Sequence, residues 1–366
     1  MNRTLRRQDV TLLLLVLFLV IFGLITLYST SSYNGLVKFG DSAYYLKKQF
    51  FATSLGLAAM YLISCIDYHL LGRLAIPGYL VSLALSGLVL VVGSSYNGSK
   101  RWFSLGPLSF QPSEFAKLAV ILFLARMVSR QKKKRNGMIL LFVVLGMVLP
   151  IVGLVGASNL STAIIILGIA VIMVFVSNPK YMQFIWMGAA GIGFIAVFLS
   201  MEQYRLERLA IWRNPENYEK GYQTIQGLYA IGSGGLFGKG LGESVQKLGF
   251  VPEAQNDMVF SIICEELGLA GAVLLVFAFL ILIWRFMVIA THAQDLFGAL
   301  LVAGIMGHIA IQVMLNVAVV TNTIPNTGIS LPFFSYGGTS LLILLAEMVY
   351  CMRQPYQSLV FAAGKF

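Results

Sequence analysis

Ten long apolar runs dominate the chain and leave few folds open to it. They fall at roughly 9–29, 50–66, 74–92, 113–129, 138–156, 160–177, 182–200, 261–286, 296–320 and 337–352. A helix needs about 20 apolar residues to cross a bilayer core, whereas barrel strands need about ten and alternate in polarity. Runs this long and continuous predict helical spans and disfavour a β-barrel. Composition agrees, with 58% hydrophobic and only 11% charged residues in 366, against about 25% charged in a soluble domain. A cytosolic globular enzyme, a disordered chain and a secreted disulfide scaffold are excluded. The expected class is all-α, a polytopic membrane protein with ten transmembrane helices. We expect a single membrane domain over 1–366, with a long extracytoplasmic loop, 201–258, between helices 7 and 8.

The charges are unbalanced, 26 Lys and Arg against 15 Asp and Glu, a net +11. In a membrane chain this excess reads first as topology, because Lys and Arg orient helices. With the N-terminus inside, the inner side collects Arg3, Arg6, Arg7, Arg73, Arg126, Arg130, Lys132, Lys133, Lys134, Arg135, Lys180, Arg285, Arg353 and Lys365. The short outer loops receive Lys38, Lys47, Lys48, Lys100 and Arg101, so the balance is 14 against 5. Both termini are expected to be cytoplasmic. The basic run between Gln131 and Gly137 reads as a topology anchor, and no nucleic-acid partner is expected. The first span exceeds a signal-peptide core and lacks an Ala-x-Ala site at its end, so an uncleaved anchor is expected. Cys65, Cys264 and Cys351 have neither zinc nor disulfide spacing and read as packing residues.

The 201–258 loop holds 7 of the 15 acidic residues and 6 of the 26 basic ones. Long connections are usually functional or disordered. Trp212, Tyr218, Tyr222 and Tyr229 argue for order, as a partly helical element on or dipping into the membrane. Its glycine-rich stretch, Gly232 to Gly242, fails the Walker pattern, because Ser233 stands where the first glycine belongs and Gly240 follows Lys239. It reads either as a turn or re-entrant bend, or as a backbone surface that admits a ligand, with Lys239 near its anionic part.

Because ionisable groups inside a membrane are expensive, each one is a functional candidate. Asp257 should sit at the outer mouth of the eighth span, where a carboxylate can exchange protons and meet a substrate. Glu265 and Glu266 lie two to three turns deeper and require cations or a function. Glu114 and Lys117, spaced i,i+3, either pair with each other or give Lys117 to Glu265 or Glu266, shaping a polar cavity in which Lys117 is a candidate substrate contact. Lys100, Arg101 and Trp102 read as an interfacial belt or as substrate contacts. The connection from Asn322 to Ser340 is proline-broken and glycine-rich, so it must line a cavity or be covered by protein. Its Ser335 and Tyr336 are candidate substrate contacts. His69, His292 and His308 form no metal triad.

Taken together, Gly98–Lys117, Gly221-Tyr-Gln-Thr-Ile-Gln with Ala230–Gly242, Val251–Gly268 and Pro325–Ser340 resemble the SEDS family, which includes FtsW, RodA and SpoVE. The similarity covers nearly the whole chain, and the Glu243–Leu248 segment resembles FtsW more than RodA. The resemblance implies a bacterial plasma-membrane enzyme that polymerises lipid II into glycan strands in division or elongation. It implies a class B penicillin-binding protein as partner, alongside other divisome or elongasome proteins. It assigns Asp257 as the base for the incoming hydroxyl. Arg205, Arg213, Lys239 and Lys247, with Lys100 and Arg101, become candidate diphosphate contacts. No cofactor is assigned; a divalent cation, Mg or Mn, could assist at the diphosphate, but no ligand set is visible. The chain departs from the family pattern in three places. Asn159 removes a carboxylate, Gln255-Asn256 changes the neighbours of Asp257, and Asn326 replaces a usually apolar residue. A flippase of the lipid-linked precursor and a non-catalytic scaffold are the competing readings.

Overall fold

A computed structural model describes residues 9–64, 68–96, 99–105, 108–130, 137–177, 181–200 and 203–352. Arg3, Arg6, Arg7, Cys65, the run Lys132–Arg135, Lys180, Arg353 and Lys365 lie outside the described residues. The elements are α1 (Val10–Phe39), α2 (Tyr44–Ser64), α3 (Tyr68–Val92), β1 (Ser94–Tyr96), β2 (Ser99–Leu105), β3 (Leu108–Phe110), α4 (Pro112–Ser129), α5 (Gly137–Ser158), α6 (Leu160–Ser177), α7 (Tyr181–Ser200), α8 (Gln203–Arg213), α9 (Tyr222–Ser233), α10 (Val259–Thr291), α11 (Leu296–Val320) and α12 (Gly338–Met352). Each predicted apolar run coincides with a helix. Among the described residues, five helices are long and apolar enough to cross a membrane: those over α1, α3, α6, α10 and α11.

The bundle distributes polarity in the opposite sense to a soluble protein. Val91, Ile192 and Leu274 are 71%, 72% and 67% exposed on its outside, while Glu265, Asn316 and Glu347 are 0% exposed inside. An apolar solvent accounts for both. At the centre α11 packs against α4, α6 and α10, through Ile121, Ile169, Leu301 and Ile305 among others. On one side α2 packs on α12, and on another α3 packs on α4.

Three features were not anticipated. First, α1 continues ten residues past the predicted end at 29, about 15 Å of helix. Asp9 Oδ1 caps its start by accepting the Leu12 N–H at 3.0 Å, and Gly40, with φ of +69°, ends it. The extension is polar on a face that packs inward, where Ser29, Thr30, Ser31 and Gly35 are buried. Hydropathy marks where a run stops being apolar, not where a helix stops. Second, the all-α expectation is corrected at residues 94–110. There β1, β2 and β3 form a small antiparallel sheet carrying Lys100, Arg101 and Trp102 on β2. Third, α10 is broken at Gly268, which has φ of +67° and ψ of −169°.

That break fixes the role of the glycine-rich stretch. Its backbone runs along the broken helix and exchanges hydrogen bonds with it. Lys239 N and Gly240 N donate to the carbonyls of Glu265 and Glu266, each at 3.0 Å, while Leu269 N and Ala270 N donate to the carbonyls of Gly235 and Leu236 at 2.9 and 3.0 Å. The stretch is thus a bend that satisfies the interrupted helix, not a backbone surface left open for a ligand. A Cβ on Gly268 would overlap Gly238 N and Leu236 C, and a Cβ on Gly238 would overlap the Glu266 carbonyl.

Gly268→Ala is therefore expected to destabilise the protein by about 2 kcal/mol or more, since both the backbone region and the space are closed to a side chain. Gly188→Ala on α7, where a Cβ meets nothing within 4 Å, is the control. Thermal unfolding in detergent, compared between the two, checks this.

Candidate active site

The site begins with the turns that lead into α10. Asp257 lies two residues before that helix and is partly exposed. Its segment is held from three directions. Asn316 Nδ2 on α11 donates to the Asp257 carbonyl at 2.9 Å and to the Ile329 carbonyl at 2.7 Å. Gln255 Oε1 accepts from Asn34 Nδ2 on the α1 extension at 3.0 Å. The Gln255 carbonyl accepts from Tyr336 N at 2.8 Å. The α1 extension and the 322–337 connection therefore both contribute to the surroundings of the acid.

Around the carboxyl itself, Gln223 Nε2 on α9 lies 3.3 Å from Oδ1 and 3.4 Å from Oδ2. Burial raises the Asp257 pKa, from 3.8 to about 7. Its own backbone N–H opposes that rise, Glu253 adds to it, and Gln223 and Arg208 counter it. Dehydration outweighs the donors, so this carboxyl exchanges a proton near neutral pH.

The other predicted residues divide between this end and the bundle interior. Tyr336 is half-buried and sets its ring edge-on to Tyr45, with centroids 5.0 Å apart. Ser335 is buried, and its Oγ accepts the Leu331 N–H at 2.7 Å, so it closes a turn. On β2, exposed Lys100 donates to the Val91 carbonyl at 2.9 Å, Arg101 Nε donates to the Ser158 carbonyl at 2.7 Å, and Trp102 is half-buried. Thr339 Oγ1 donates to the Ser109 carbonyl, which ties the sheet to the start of α12. Arg213 is exposed in the last turn of α8, and the Arg205 side chain lies outside the described residues.

Lys117 takes the first of its two readings, the pair with Glu114. Its ammonium sits 2.9 Å from Glu114 Oε1 and donates to Gln312 Oε1 at 2.9 Å, not to Glu265 or Glu266. Those two carboxylates take their cations from the loop. Lys239 Nζ is 2.7 Å from Glu265 Oε1, and the same carboxylate accepts from Ser233, Ser244 and the backbone of Val245 and Gln246. Lys247 is buried, with its ammonium on Glu266 Oε1 at 2.8 Å, the Gly242 carbonyl at 2.6 Å and Ser29 Oγ at 3.0 Å. Its three donors are spoken for, which corrects its candidacy as a diphosphate contact. Lys239 keeps 35% of its side chain exposed.

Sequence reasoning missed Gln223, Arg208, Asn316 and Glu347. His308, Gln312 and Asn316 recur every four residues in an apolar helix, which puts them on one face and was a readable signal. They form a buried polar row. His308 Nε2 meets Gln312 Oε1 at 2.9 Å, and His308 Nδ1 meets Glu347 Oε2 at 2.9 Å. Ser340 Oγ donates to Glu114 Oε2 at 2.8 Å. Among the described residues no group of three or more His, Cys, Asp or Glu side chains is arranged to hold a metal ion. Asp257 and Glu253 alone do not make a protein-built cage for a divalent cation.

A bundle with an apolar exterior, buried ion pairs and a carboxyl raised toward neutral pH at its polar end defines a multi-pass membrane protein with a candidate catalytic base. The chain belongs to the cell-cycle protein family of FtsW, RodA and SpoVE, whose family model matches residues 10–356. It is 40% identical to stage V sporulation protein E of Bacillus subtilis over 350 residues, 92% of this chain and 94% of that protein. It is 37% identical to a probable peptidoglycan glycosyltransferase FtsW of Trichlorobacter lovleyi over 353 residues, 93% of this chain and 91% of that one. Among solved structures it matches a chain of a peptidoglycan synthase complex that coordinates polymerization and crosslinking, with TM-score 0.80, 31% identity, and 96% and 99% of the two chains covered. It also matches the rod shape determining protein RodA of Thermus thermophilus, with TM-score 0.71, 31% identity, and 98% and 100% covered.

The loop-to-helix ion pairs predict an asymmetry. Glu266→Gln or Lys247→Met alone leaves a buried charge without its partner and should cost about 3–5 kcal/mol. The double variant should cost less than either single change. A double-mutant cycle read by thermal unfolding checks it, and equal or additive losses contradict it.

Proposed function

We propose that the chain is a peptidoglycan glycosyltransferase that polymerises lipid II into β-1,4 glycan strands and releases polyprenyl diphosphate, in cell division or elongation. The observation that carries this reading is Asp257, a carboxyl poised near neutral pH at the polar end of the bundle. Kinship with probable peptidoglycan glycosyltransferases supports it. We read the ten apolar helices as one membrane domain with both termini cytoplasmic. Asp257 and the 201–258 loop then lie on the outer face of the bacterial plasma membrane.

Departure of a diphosphate needs no acid, so the chemistry asks for a base and for positive charge. Asp257, ionised, accepts the proton of the GlcNAc 4-hydroxyl. That oxygen attacks the anomeric carbon of the MurNAc on a second lipid-linked molecule. The bond from that carbon to the diphosphate oxygen breaks with its electron pair on the leaving group, and inversion yields the β link. Lys100, Arg101, Arg205, Arg213 and the exposed part of Lys239 are the candidates to meet the diphosphate. A class B penicillin-binding protein is the partner we expect to crosslink the strands. Kinship with a chain of a peptidoglycan synthase complex supports that pairing.

Purified protein, alone and with a penicillin-binding partner, should convert lipid II into glycan polymer on a gel. Asp257→Ala should fold normally and lose at least about 100-fold in rate. Wild-type rate in that variant would overturn the base assignment. Lipid II crossing vesicle membranes without new glycosidic bonds would favour a transporter. A variant that assembles with its partner and supports synthesis without polymerising would favour a scaffold. The base works only when ionised, so the polymerisation rate should rise with pH through a midpoint near 7. A rate that is flat from pH 5.5 to 8.5 would contradict this.

A further inference from the structure

We propose that Asn326 is a positioning residue: anchored by the Gly328 backbone N–H, it orients the Gln223 amide so that a hydrogen-bond donor faces the Asp257 carboxyl. The inference rests on the reading of Asp257 as the base. Asn326 is also where the chain departs from the apolar residue common in the pattern it otherwise resembles.

The orientation follows from donors and acceptors that admit no exchange. A backbone N–H can only donate, and Gly328 N lies 3.1 Å from Asn326 Oδ1, so that atom is the oxygen. The other arm of Asn326 is then its NH₂, whose Nδ2 donates to Gln223 Oε1 at 3.2 Å. The Gln223 amide is thereby fixed with its NH₂ toward Asp257. The NH₂ end of that amide agrees independently, since Nε2 also lies 3.4 Å from the Pro252 carbonyl, which can only accept. Arg208 Nη1 donates to the Asn326 carbonyl at 3.0 Å and holds the main chain from α8.

The polarity of one backbone N–H thus passes through two side-chain amides to the carboxyl. A donor there favours the ionised form, whereas a flipped Gln223 would set its carbonyl oxygen against the carboxylate and disfavour it. The charged groups acting on Asp257 are Glu253 from its own segment and Arg208 from α8. The other elements around it present neutral groups: Gln223 from α9, Asn316 from α11, and Asn326 and Gly328 from the 322–337 connection.

The test is the pH–rate profile of lipid II polymerisation by the purified full chain, for wild type, Asn326→Val, Asn326→Asp and Gln223→Leu. Asn326→Val frees the Gln223 amide and Gln223→Leu removes the donor. Each should move the midpoint upward by about half a unit. Asn326→Asp still accepts from Gly328, but its second oxygen can only accept, so Gln223 must turn its oxygen to Asp257. The flipped amide and the added negative charge together should move its midpoint furthest, by about one unit or more. In Asn326→Val and Gln223→Leu, which add no charge, a purely structural role would lower the plateau and leave the midpoint in place. Midpoints equal to wild type, with Asp257→Asn inactive, overturn the positioning role alone. An active Asp257→Asn overturns the base reading beneath it. Where a variant is too slow to assay, infrared titration of the protonated-carboxyl band that Asp257→Asn abolishes gives the same midpoint.

Discussion

The break in α10 at Gly268 is the constraint around which the polar half of the molecule is arranged. A helix interrupted inside a membrane leaves backbone donors and acceptors with no water to meet them, at several kcal/mol each. The 235–240 backbone meets them. That contact requires glycine on both sides, at Gly238 and Gly268. It also brings Lys239 and Lys247 to Glu265 and Glu266, so the backbone clasp and the two buried ion pairs are one structure. The start of α10, and with it Asp257, is positioned by this clasp from below and by Asn316, Gln255 and Tyr336 from the sides.

Low dielectric explains why so much of the charge is structural. A buried charge left unpaired would cost more than any single packing contact returns, so the interior carboxylates found partners within the chain. Glu114 has Lys117, Glu265 has Lys239, Glu266 has Lys247, and Glu347 faces His308. Cations that a sequence offers equally as ligand contacts or as counter-ions are assigned by this demand. Lys117 and Lys247 go to the interior, and the cations the proposed function has for a diphosphate are those at the surface.

The spans were legible because apolarity over some 20 residues is a local property, and each run became a helix. What escaped depends on distance in sequence. The polar end of α1 packs inward, beginning where Ser29 meets Glu266, 237 residues away. The sheet at 94–110 carries too few residues for an alternation to stand out. Asp257 was legible because a carboxylate beside an apolar run is conspicuous. Gln223 and Arg208 were not, since neutral or exposed polar residues in a long loop look alike until a fold brings one of them to an acid. The row His308, Gln312, Asn316 was legible in principle from its four-residue spacing. Glu347, the one acid in the last run, was equally visible, but no partner for it stands nearby in sequence.

On the proposed function, Asp257 is a base at the edge of a membrane and faces opposing demands. It must be dehydrated enough to hold a proton near neutral pH, yet it must release that proton between turnovers. Burial alone would drive a carboxyl too far toward its neutral form, and full donor coverage would return it to an ordinary acid. Asp257 lies between these limits through weak, long contacts from a neutral amide, with Arg208 at a distance and Glu253 opposing it. Neutral donors suit this task better than a paired cation would. A salt bridge such as those of Glu265 and Glu266 would hold the carboxyl ionised and occupied. The difference between the interior acids and Asp257 is therefore one of partner chemistry: full charges where the carboxylate is structural, amides where it is to exchange a proton.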